Sequence, residues 1–160
     1  MKLKCIAVSL VLLCGGIIQG QTIEELPHGI KTVVDSMVIN LEFFTPSTVR
    51  VTKVPENLKN EKESYSVTAK PQDVKFTTSR SGDNITLKSS KLKVTLNTKK
   101  GTVSFADSKG GLLLKEKNNA MFTPMLDAGV PSFNVKQSFV LDKEEPIYGL
   151  GNYENGKLSL

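Results

Sequence analysis

Tryptophan is absent, histidine occurs once, and the two cysteines stand at positions 5 and 14. Each shortage closes off a chemistry. His28 has no second imidazole, cysteine or clustered acid around it, so the ligand sets that hold zinc or similar ions cannot be assembled. No metal or other cofactor is expected. The residue types of Ser-His-Asp catalysis occur, but the Gly-x-Ser-x-Gly elbow that would expose a nucleophile does not. Without tryptophan, the aromatic surface on which sugar rings stack is reduced to Tyr65, Tyr148 and Tyr153. Arginine is scarce too: Arg50 and Arg80 are the only two. The lysines are scattered and not interleaved with aromatics on one basic stretch, which argues against nucleic acid as a partner.

No apolar run reaches the ~20 residues that a bilayer crossing requires. The nearest, residues 6–13, is interrupted by Ser9 and followed by Gly15-Gly16. Preceded by Lys2 and Lys4, it reads as a secretory leader, with cleavage after Gly20 and Gln21 as the mature start. Acylation of Cys14 is the weaker alternative, since Leu13 occupies the place of a small residue. A secreted or periplasmic chain of residues 21–160 is therefore expected, without a membrane span. Both cysteines fall within the leader, so no disulfide braces the mature protein. Stability must come from one apolar core. The charge falls from +5 to +3, nineteen Lys and Arg against sixteen Asp and Glu, and this excess suits solvated sheet faces.

What is present is alternation with period two. In SMVINLEFF, Met37, Ile39, Leu41 and Phe43 share one side, with Val38, Asn40, Glu42 and Phe44 on the other. TVRVTKV resumes the pattern with Val49 and Val51, and stops at Pro55. Residues 56–64 are too polar to pack and read as a charged loop. Val74, Phe76 and Thr78, then Ile85 and Leu87, then Leu92, Val94 and Leu96, then Val103 and Phe105 continue the series between turns. Leu112 to Leu114 reads as a short run buried on both faces, and Phe133, Val135, Phe139 and Leu141 as one face of a strand. The single helix candidate is TIEELPHGI, ended by Pro27. Short strands at this spacing predict an all-β, antiparallel β-sandwich in one domain.

The chain closes on EEPIYGLGNYENGKLSL. Gly149, Gly151 and Gly156 suggest a nucleotide loop, but such a loop needs a helix N-terminus after it to hold the phosphates. Only four residues follow Gly156, so a tight turn is the local reading. Asp142, Glu144, Glu145 and Glu154 are close in sequence, as a glycosidase pair would be. Asp142, Glu144 and Glu145 precede Pro146 in an exposed turn, where nothing desolvates a carboxyl to raise its pKa. Asn84-Ile85-Thr86 has the form of a glycosylation sequon and is taken as chance.

The closing stretch SFVLDKEEPIYGLGNYENGKLSL resembles the end of the N-terminal domain of glycoside hydrolase family 31, the α-glucosidase and α-xylosidase family. Phe139, Glu145, Tyr148, Gly149, Leu150 and Gly151 carry the likeness, and KLKVTLNTKKGTVSFADSKGGLLLKE extends it upstream. The resemblance implies a galactose-mutarotase-like β-sandwich, here incomplete and truncated ahead of a catalytic (β/α)8 barrel. It implies a barrel partner and, through the full enzyme, an α-linked oligosaccharide or glycoside as substrate. A barrel needs at least about 200 residues, and the Trp-x-Asp-Met nucleophile segment is missing, so no catalytic residue is assigned. Gly149, Gly151, Asn152, Tyr153 and Asn155 are implied as a substrate-rim loop. The alternatives are a free-standing carbohydrate-binding module and a structural sandwich without sugar contact.

Overall fold

The computed structural model describes residues 22–58, 66–143 and 145, and every regular element among them is a strand. Four strands form one antiparallel sheet in meander order: β1 (Ile23–Leu26), β2 (Gly29–Val34), β3 (Met37–Thr45) and β4 (Thr48–Pro55). β5 (Thr77–Ser81), β6 (Asn84–Lys88), β7 (Leu92–Asn97), β8 (Thr102–Asp107) and β9 (Leu112–Glu116) form most of a second. After β9 come β10 (Met121–Asp127), β11 (Val130–Lys136) and β12 (Phe139–Val140). β12 returns to pair with β9, giving a six-stranded order β12-β9-β8-β7-β6-β5, while β10 and β11 pair only with each other.

The alternation in the sequence becomes the core directly. Ile30, Val34, Met37, Ile39, Leu41 and Phe43 from the first sheet meet Ile85, Leu87, Leu92, Val94, Leu96 and Val103 from the second. Burying each such side chain contributes about 1.5–3 kcal/mol, and no disulfide is needed. At the bulge between Phe43 and Thr45, Phe44 is buried as well. Gly29 is fixed by close approach: a Cβ there would overlap the Leu41 carbonyl across the β2–β3 ladder.

The sequence expectations need correcting at several places. TIEELPHGI is not helical: Ile23 to Leu26 pairs with Thr32 to Gly29 around a Pro27-His28 turn. The five residues ahead of Pro27 cannot stabilise an isolated helix, whereas a strand gains a whole ladder from β2. Val74 and Phe76 precede β5 and do not belong to it. Their alternation reflects burial in the core and a Phe43–Phe76 ring contact at 5.4 Å, not strand pairing. The leucines 112–114 are not covered on both faces; Leu112 and Leu113 are 65% and 58% exposed. β12 pairs with β9 only at Lys115 and Glu116, so the start of β9 has no outer neighbour. Phe133 and Val135 lie on β11 and Phe139 on β12, with Gln137-Ser138 between, so they do not share one strand. Of the charged loop, residues 59–64 lie outside the described residues.

Candidate functional site

All five rim residues expected from the sequence, Gly149, Gly151, Asn152, Tyr153 and Asn155, lie outside the described residues, as do Tyr148 and Leu150. What is described is the approach to them. Phe139 and Val140 pair with Glu116 and Lys115, which places the chain entering that loop on the edge of the six-stranded sheet. Asp142 and Glu145 are exposed, and the Glu145 amide donates to the Asp142 carbonyl at 3.1 Å. Glu144 is outside the described residues.

Opposite Phe139 stands the one buried charge cluster among the described residues. Lys53 Nζ lies 2.5 Å from Glu116 Oε2, and both side chains are only 6% exposed. The ammonium also donates to the Gly101 carbonyl at 2.8 Å and to Asn119 Oδ1 at 3.2 Å. Glu116 Oε2 accepts the Val103 amide at 2.7 Å. All three lysine protons are thus used, which is what a buried ammonium requires. The cluster ties β4 of one sheet to the β7–β8 turn and β9 of the other. Gly101 has φ +64°, and a Cβ there would overlap the Asn119 side chain. Satisfied and shut from solvent, these charges hold the layers together and cannot transfer protons to a substrate. Sequence reading missed the pair, although a signal existed: Lys53 falls on the same period-two face as Val49 and Val51.

The outer face of the six-stranded sheet carries a recess of about 320 Å³ lined by Asn84, Asn97, Thr102, Ser104, Lys100 and Lys115. Asn97 Nδ2 donates to Asn84 Oδ1 at 3.0 Å, while Asn97 Oδ1 accepts the Lys100 amide at 2.8 Å. Amides, hydroxyls and amines of this kind can hydrogen-bond a polyol. They include no carboxyl pair and no aromatic platform. Among the described residues no group of three His, Cys, Asp or Glu side chains is placed to hold a metal ion, and no helix is long and apolar enough to cross a membrane.

Residues 38–160 match the sequence profile of the glycosyl hydrolase 31 N-terminal galactose mutarotase-like domain. Among solved structures, the chain is similar to a GH31 alpha-xylosidase from Xanthomonas citri, with 24% identity and a TM-score of 0.74 over 85% of this chain and 15% of that one. It is also similar to a GH31 alpha-xylosidase from a soil metagenome, complexed with xylose, with 19% identity and a TM-score of 0.66 over 86% of this chain and 23% of that one. At these identities the likeness is one of fold. The chain spans less than a quarter of the length of either enzyme.

Proposed function

We propose, because this chain belongs to the glycosyl hydrolase 31 N-terminal galactose mutarotase-like domain family, that it is the non-catalytic front sandwich of an exported α-glycosidase. Its partner is a catalytic (β/α)8 barrel, and its role is to support that barrel and to complete the rim of the sugar site with Gly149, Gly151, Asn152, Tyr153 and Asn155. The observation that carries this reading is the extent of the family match, which begins within β3 and includes the whole closing loop. The enclosed Lys53–Glu116 pair fits a supporting part, because its buried charge is spent on joining sheets. The substrate is an α-linked glycoside or oligosaccharide bound by the complete enzyme.

The test uses the chain joined to its catalytic barrel, with 4-nitrophenyl α-glycosides as substrates. Tyr153→Ala and Asn152→Ala each remove one uncharged hydrogen bond of about 1 kcal/mol, so KM rises roughly fivefold with kcat nearly unchanged. Unchanged kinetics in both variants would remove the rim role. The polar recess beside Asn84 and Asn97 favours a second reading, a carbohydrate-binding module acting by itself. Calorimetric titration of the 160-residue chain with soluble α-glucans and xyloglucan oligosaccharides separates them, since binding lost on Asn97→Ala supports the module.

A further inference from the structure

The ladder between β8 and β9 stops early. Ser104 opposes Lys115, but Thr102 has no partner on β9, because the Val103 amide donates at 2.7 Å to the buried Glu116 carboxylate instead of extending the ladder. The outer face of the six-stranded sheet is left open there, and the recess of about 320 Å³ lies beside it. Two of the acceptors around it are already occupied. Asn84 Oδ1 takes Asn97 Nδ2, and Asn97 Oδ1 takes the Lys99 and Lys100 amides. What stays without a partner among the described residues is a set of donors: the Asn84 amide NH2, the Thr102 and Ser104 hydroxyls, and the ammoniums of Lys100 and Lys115. The ion pairs among the described residues, Lys31–Glu24 and Lys53–Glu116, use neither of these lysines.

The surrounding face has the same sign. Lys88 directly opposes Lys93 on neighbouring strands, a like-charge pairing that is destabilising by itself. Alternation along β6, β7 and β8 puts no carboxylate at an outward position. Asp83 stands in the β5–β6 turn, and Asp107, at the end of β8, is occupied by the Lys109 and Gly111 amides at 2.8 Å. We infer that this recess binds an acidic sugar, with Asn84, Thr102 and Ser104 holding its hydroxyls and Lys100 and Lys115 its carboxylate or phosphate. Charge complementarity selects the ligand: an ammonium offers three donors and no acceptor, so the recess favours an acceptor-rich anion over a neutral ring. The volume falls at the small end of ligand sites, ~300–1,000 Å³. Nucleic acid fits less well, since no aromatic side chain occupies an outward position on β6, β7 or β8 on which a base could stack. The inference is independent of the scaffold reading, and it differs from a neutral-glucan module in the charge of the ligand.

The test is calorimetric titration of the 160-residue chain at low ionic strength with digalacturonate, glucose 6-phosphate, maltose and inorganic phosphate. One of the two acidic sugars is expected to bind at least tenfold tighter than maltose or phosphate, and which one does so tells carboxylate from phosphate recognition. Lys100→Gln and Lys115→Gln are each expected to weaken it about three- to fivefold, as one exposed charge contact does. Lys136→Gln, on β11, is expected to leave it unchanged. Thermal unfolding of these exposed-lysine variants is expected to match the parent, so lost affinity is not lost fold. Maltose binding as tightly as the acidic sugars overturns the inference in favour of a neutral carbohydrate site. Inorganic phosphate binding as tightly, a short DNA duplex competing equally well, or an equal loss on Lys136→Gln overturns it in favour of a general cationic surface. Absence of binding by both acidic sugars overturns it outright.

Discussion

At the scale of single residues, the Lys53–Glu116 pair is the feature with the largest consequence. Breaking a buried ion pair from one side leaves a charge without a partner, which costs about 3–5 kcal/mol. Lys53→Met and Glu116→Leu are each expected to lower urea-unfolding stability by about that amount, and the double variant by less than either loss summed with the other. Additive losses would show that the two groups do not act as a pair. Gly29 has no tolerance of a different kind, since its neighbour is backbone, not a movable side chain. Gly29→Ala is expected to separate β2 from β3 and leave no cooperative thermal transition. None of this was visible in composition. A lysine within a strand reads as solvated until the partner strand is known, and Glu116 lies 63 residues away.

At the scale of elements, the alternating strands were legible because their pattern is itself the cause of burial. Ile39, Leu41, Ile85, Leu87, Val94 and Leu96 are fully enclosed where the period-two reading placed them. Leu96→Ala is accordingly expected to cost about 2–5 kcal/mol, measured by chemical denaturation. Turn chemistry supplies a prediction of opposite sign. The β2–β3 turn holds Asp35 at φ 53° and Ser36 at φ 57°, a left-handed pair for which Asp-Gly is the preferred sequence. Ser36→Gly is expected to raise stability by a few tenths to about 1 kcal/mol, seen as a higher Tm. What the sequence did not disclose were the elements whose apolar residues face outward. Met121 to Asp127 went unread as a strand, and leucines 112–114 were read as covered, because hydrophobicity signals burial without saying by what. The rim proposal for Gly149, Gly151, Asn152, Tyr153 and Asn155 rests on family likeness alone, since glycines and asparagines by themselves describe no more than a turn, and all five lie outside the described residues.

At the scale of the whole molecule, the described residues make an all-β antiparallel sandwich with one core and an enclosed ionic tie between its sheets, which suits the supporting part proposed for it. On the proposal that residues 1–20 are an export leader, mature protein recovered outside the cytoplasm is expected to begin at Gln21, shown by its intact mass, and retention of residues 1–20 would contradict this. The most direct test of the scaffold reading is hydrolysis of 4-nitrophenyl α-glycosides by the purified 160-residue chain alone and joined to its barrel. The prediction is no turnover above buffer for the chain alone and measurable turnover for the joined protein. Turnover by the isolated chain, or none by the joined protein, would contradict it.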